Sequence, residues 1–125
     1  MANVVVWADI PVLDMERARA FYAQLLGSPV EFMPGHPEVA ILSSPGTSDP
    51  MDVSADLAVG WSAPSTTHGT TIYLGSMGDI DGMLVRAVEA GGSILSEKRL
   101  MDMVGWIAFI EDTEGNRIGI HQPPA

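Results

Sequence analysis

Three histidines, at positions 36, 68 and 121, are the side chains of this chain whose ordinary pKa lies closest to neutrality. His36 sits in Met33-Pro34-Gly35-His36-Pro37 and His68 in Ser65-Thr66-Thr67-His68-Gly69, both turn-like settings that read as solvated loop. His121 differs, because the alternation of Arg117-Ile118-Gly119-Ile120-His121 puts Arg117, Gly119 and His121 on the strand face opposite the two isoleucines. There it is the candidate catalytic acid or base, with Asp9 to orient it or Arg117 to bind an anionic group. The same parity sets Trp7 and Asp9 opposite Ala8, Ile10 and Val12, and Thr71 and Tyr73 opposite Ile72 and Leu74. With Trp61 added, the candidate ligand-binding set is Trp7, Asp9, Trp61, Thr71, Tyr73, Arg117 and His121. Aromatic walls with a few polar groups suit a flat or partly apolar molecule. The set also has a reading without a ligand: aromatics on a concave sheet serve as core or dimer interface, and Asp9 with Arg117 or His121 forms an internal ion pair.

Other chemistries are excluded by composition. With no cysteine there is no thiolate nucleophile, disulfide or Cys-ligated metal. No GxGxxG, phosphate loop or serine nucleophile elbow occurs. The formal charge of −10 repels phosphate backbones and anionic lipid alike, which disfavours nucleic acid and membrane partners. No apolar run approaches the roughly 18 residues of a membrane span, and the first six residues lack a basic-then-apolar export pattern. A cytoplasmic protein is expected.

The elements that must position these residues repeat. A β-branched strand over 4–12, with Val6, Ala8, Ile10 and Val12 on one face, leads to Asp14 as N-cap. Met15, Ala18, Phe21, Tyr22, Leu25 and Leu26 then follow helical spacing to a stop at Gly27. Later come a strand over 70–76, Asp79 as N-cap, a buried stripe of Ile80, Met83, Leu84, Ala87 and Val88, and a stop at Gly91-Gly92. Asp14 with Asp79, Gly27 with Gly92 and Ser28 with Ser93 align at one offset of 65. Strands are expected at 30–33, 39–42 and 57–61 after the first helix, and at 93–96, 105–111 and 117–121 after the second, with a long surface loop over 43–54. The last two strands are joined by Asp112-Thr113-Glu114-Gly115-Asn116, where Gly115 supplies a positive φ. Met101-Asp102-Met103-Val104 reads as core filling, or as a pocket rim or interface.

Residues 1–125 thus form one α+β domain of two βαβββ modules, about 1–64 and 65–125. Each module has one helix to cover one sheet face, so the pair is expected to build a curved eight-stranded mixed sheet with a concave pocket. The same pattern is satisfied by modules exchanged between two chains.

Three stretches carry a family resemblance: Asp9-Ile10-Pro11-Val12 with Asp14-Met15-Glu16-Arg17-Ala18-Arg19-Ala20-Phe21-Tyr22 and Leu26-Gly27; Val88-Glu89-Ala90-Gly91-Gly92; and Glu111-Asp112-Thr113-Glu114-Gly115-Asn116-Arg117-Ile118-Gly119-Ile120-His121. In these the chain resembles the vicinal oxygen chelate superfamily of glyoxalase I, bleomycin-resistance proteins and extradiol dioxygenases. The resemblance implies the two-module fold, a ligand in the cup and a homodimer, but no particular reaction. In metal-dependent members it implies His, Glu or Gln ligands from the first and last strand of each half. Those positions fall here at Trp7, at Thr71 or Ile72, at Gly119, and near Ala58 or Val59, which is no divalent-metal ligand set. Trp7 and Gly119 are expected to exchange volume. The leading expectation is therefore a small-molecule-binding protein with no metal or other cofactor. The alternatives are a sequestering protein without catalysis, and a metal-dependent lyase or dioxygenase using non-standard ligands such as His121 with Asp9 or Glu111.

Overall fold

In the computed structural model the described residues are 5, 7–43 and 55–124. The expected helix-facing Val6 and most of the expected loop, residues 44–54, lie outside them. The elements run β1 (Ala8–Val12), α1 (Met15–Leu26), β2 (Glu31–Met33), β3 (His36–Leu42), β4 (Ala55–Val59), β5 (Ile72–Gly75), α2 (Ile80–Glu89), β6 (Ser93–Met101), β7 (Gly105–Glu111) and β8 (Arg117–Gln122). This is βαβββ twice.

Both helices start for the expected reason. The Asp14 and Asp79 carboxylates accept the N–H groups of Arg17 and Gly82, satisfying donors that a helix start leaves open. Gly27 ends α1 in the left-handed region at φ 69°. In the second module that role belongs to Gly91, at φ 105°, rather than to Gly92, the residue that aligns with Gly27. Gly92 is small for a packing reason: a Cβ there would lie 2.5 Å from the Glu111 carbonyl oxygen and 2.8 Å from the Phe21 ring. Val88 does not join the buried stripe of α2 and is 52% exposed, at the edge of the arc formed by Ile80, Met83, Leu84 and Ala87. The Met101–Val104 stretch is not core either, since β6 extends to Met101 and its hairpin with β7 leaves Met103 90% exposed.

The eight strands are hydrogen-bonded as two mixed sheets of four, in the orders β1-β4-β3-β2 and β5-β8-β7-β6. The β1–β4 and β5–β8 pairs are parallel and the others antiparallel. One apolar cluster lies beneath both sheets, joining Ile10, Phe21, Tyr22, Leu25 and Leu57 of the first module to Ile80, Met83, Ile110, Ile118 and Ile120 of the second.

The modules are tied together by the β7–β8 turn, which plugs into the β1–α1 corner. Asp112 accepts the Tyr22 hydroxyl at 2.5 Å, Asn116 Nδ2 at 2.8 Å, and the backbone N–H groups of Glu114 and Asn116. Glu114 accepts the N–H groups of Leu13 and Asp14 at 2.8 and 2.7 Å, and Arg17 Nε at 2.6 Å. Asn116 Nδ2 also donates to the Pro11 carbonyl at 2.7 Å. Burial alone would raise the Glu114 pKa, but these donors outweigh it and hold the carboxylate below its ordinary value. Burial, and then the Asp112 charge, push the Tyr22 phenol well above its ordinary range. Gly115 takes φ 97°, the conformation expected of it in this turn.

Candidate functional site

In the first module the strand opposite β1 supplies an acid. Ala55 and Leu57 of β4 join the core, so Asp56 and Ala58 must lie on the other face. Parallel pairing then sets Asp56 directly across from Asp9. The Trp7 indole N–H bridges the two carboxyls, donating to Asp56 Oδ2 at 3.1 Å and to Asp9 Oδ1 at 3.3 Å. Asp56 is only 1% exposed, and its Oδ1 has no hydrogen-bond donor among the described residues. Burial first, and then the neighbouring Asp9, hold the Asp56 pKa up at about 7, with the Trp7 indole pulling the other way. The two acids border an open hollow of about 510 Å³ with Trp7 and Trp61 as its aromatic sides and Met33 and Val39 as apolar lining. Its rim carries His36 and Glu38, whose side chains meet at 3.2 Å.

The second module has a different hollow, of about 460 Å³, lined by Thr66, Thr67, Thr71, Leu95, Ser96, Phe109 and Arg117. The Arg117 guanidinium is held by Thr71 Oγ1, at 2.7 Å from Nη2 and 3.1 Å from Nε, and by the Thr66 carbonyl at 3.3 Å. Asp9 and Arg117 both border a smaller cleft of about 280 Å³ between the modules, yet they form no ion pair with each other.

The seven candidate residues are therefore divided. Trp7, Asp9 and Trp61 share the first hollow, and Thr71 and Arg117 share the second. Tyr73 and His121 line neither of these two. Tyr73 lies over Gly119, where a Cβ would run into its ring, and meets the Phe109 ring at 5.8 Å between centroids. Tyr73, not Trp7, thus occupies the volume that Gly119 leaves. His121 Nε2 lies 2.7 Å from the Val104 carbonyl oxygen. A carbonyl can only accept, so Nε2 carries the proton there and Nδ1 is the remaining nitrogen.

Asp56 is the site residue absent from the sequence-based expectation, in which this strand starts at Leu57. The signal was present in Ala55-Asp56-Leu57-Ala58-Val59, where an acid interrupts apolar alternation. The registers also correct a correspondence. If Trp7 matches Thr71, Asp9 matches Tyr73; their parallel partners are Asp56 and Gly119, so Asp56 rather than Ala58 or Val59 is the first-half counterpart of Gly119. Trp7, Asp56, Thr71 and Gly119 offer one carboxylate, one hydroxyl and an indole, a donor set that does not fit a divalent ion. Among the described residues no three His, Asp or Glu side chains converge as a metal-binding group.

The model of the Glyoxalase/Bleomycin resistance protein/Dioxygenase superfamily matches residues 4–120. A glyoxalase/bleomycin resistance protein from Albidiferax ferrireducens T118 superposes with a TM-score of 0.71 at 19% identity, over 98% of this chain and 100% of that one. TnmS3, an antibiotic binding protein from Streptomyces sp. CB03234, superposes with a TM-score of 0.65 at 22% identity, over 98% of each chain. No curated protein matches the sequence. At these identities the solved structures speak to the fold alone.

Proposed function

Because the chain belongs to the Glyoxalase/Bleomycin resistance protein/Dioxygenase superfamily, we propose that it binds a small organic molecule against the concave faces of its sheets, without a divalent metal and without turning it over. The observation that carries this reading is the hollow bordered by Trp7 and Trp61 above the Asp9–Asp56 pair, which joins flat apolar walls to a few polar groups. The likeness to TnmS3, an antibiotic binding protein, is in keeping with it.

Binding is favoured over catalysis by the surroundings of His121. The imidazole is tied to the Val104 carbonyl, and Asp9, its expected orienting acid, stands in the other sheet. The metal-dependent alternative needs His121 to meet Asp9 or Glu111, but Asp9 stands in the other sheet, and along the β7–β8 pair His121 lies opposite Ile107 while Glu111 lies opposite Arg117. A homodimer belongs to the same reading: each module offers an open half-hollow, and Leu100, Met103 and Val104 expose apolar surface at the β6–β7 tip. So does a cytoplasmic setting, which suits an acidic chain without cysteine, and no described helix is long and apolar enough to cross a membrane.

A thermal-shift screen of aromatic and heteroaromatic compounds tests the proposal. The expected result is stabilisation by a compound that mass spectrometry recovers unchanged. Conversion of that compound, with loss of the conversion in His121→Ala, would replace binding by catalysis. Light scattering is expected to return twice the mass of one chain.

A further inference from the structure

The first hollow holds two adjacent acids, and its one described base, His36, is paired with Glu38 rather than with either of them. Neither Asp9 nor Asp56 forms an ion pair with a Lys, Arg or His among the described residues. Their one shared donor is the Trp7 indole, a neutral group that orients the carboxyls without balancing their charge. Asp56 is almost wholly buried, and its second oxygen has no donor among the described residues while the residue borders the hollow. A buried carboxyl in that state is costly unless a proton or a positive charge comes to it.

We infer that this hollow takes an organic cation, an amine or quaternary ammonium group on an apolar or aromatic body, with the Asp9–Asp56 pair as its counter-charge and Trp7 and Trp61 as its walls. The inference rests on the small-molecule reading above and names the class of molecule. Indole faces attract cations through their quadrupole, and Trp61 is 59% exposed beside the acids. The chain's net charge of −10 raises the local concentration of cations. An inorganic divalent ion suits the site less well, because among the described residues no third His, Asp or Glu side chain converges with the two carboxyls. An anion fits the other module better, where Arg117 rests on neutral partners.

The test uses three probes of nearly equal shape on the full chain: para-trimethylammonio benzyl alcohol, its uncharged isostere para-tert-butylbenzyl alcohol, and para-tert-butylbenzoate. Binding is followed by calorimetry and tryptophan fluorescence. The cation is expected to bind at least about 10-fold more tightly than the neutral isostere. That preference is expected to vanish in the Asp9→Asn, Asp56→Asn double variant. Affinity for both should fall in Trp61→Ala, whose exposed side chain makes it a safe variant for folding if the double one is not. Equal binding of cation and neutral probe would overturn the inference and leave the small-molecule reading standing. Preference for the benzoate would overturn it as well. No binding of any probe up to millimolar concentration would bring down both.

Discussion

Two pairs of neighbouring acids among the described residues are treated in opposite ways. At the module junction, Asp112 and Glu114 are surrounded by donors from the β1–α1 corner, from Tyr22 and from their own turn. In the first hollow, Asp9 and Asp56 share a single indole N–H. A fold that needs a buried charge surrounds it with donors, which is how a structural acid repays its desolvation. The hollow pair lacks that provision, and the contrast separates acids that hold the chain together from acids left for something outside it.

The largest expected effect that would sharpen this contrast is at the junction. Asp112→Ala strands the Tyr22 hydroxyl, the Asn116 amide and two backbone N–H groups, so a loss of about 3–5 kcal/mol in denaturant unfolding is expected. A loss below about 1 kcal/mol would break the comparison at once. Glu114→Gln keeps the shape but removes the charge facing Arg17, and should cost about 2 kcal/mol at neutral pH.

Titration sharpens it further. Glu114 sits below its ordinary pKa in the folded chain, so its contribution is complete above the ordinary carboxylate range and is lost as pH falls through the depressed value. Asp56 works the other way, being raised from 3.8 to about 7. Between those values the folded state binds a proton that the unfolded chain releases, so the contribution of Asp56 drains away as pH climbs from about 4 to about 7. Asp56→Asn is expected to flatten that slope and to stabilise the protein by on the order of 1–2 kcal/mol at pH 8, measured by denaturant unfolding across a pH series. Destabilisation at pH 8 would show Asp56 to be an acid of the structural kind. The smallest effect is expected at Trp61→Ala, within about 0.5 kcal/mol of the native stability, because that indole is mostly in solvent.

Much of this architecture was legible in the residues, and the failures have physical causes. The first helix was readable to its ends, since Asp14 and Gly27 announce a cap and a left-handed stop around an unbroken apolar stripe. Parity placed Trp7, Asp9, Tyr73 and His121 on the strand faces turned away from the helices, toward the expected cup, but parity is a property of one strand and says nothing of which strands share a hollow. The residues therefore divide between two sheets that alternation cannot tell apart. Asp56 escaped because an acid next to a loop looks like loop, and its burial depends on pairing with a strand dozens of residues away. Likewise, the exchange of volume at Gly119 involves Tyr73 on the adjoining strand, a neighbour visible only in the register.

The β7–β8 turn has a consequence for how the chain reaches its fold. Its acceptors come late in the sequence and serve donors that come early: Leu13, Asp14, Arg17 and Tyr22 wait for Asp112 and Glu114. Without that turn the opening module leaves those donors unmatched by any acceptor the folded chain gives them. Contacts of such long sequence separation are expected to form late in folding, which makes the turn the latch of the whole assembly.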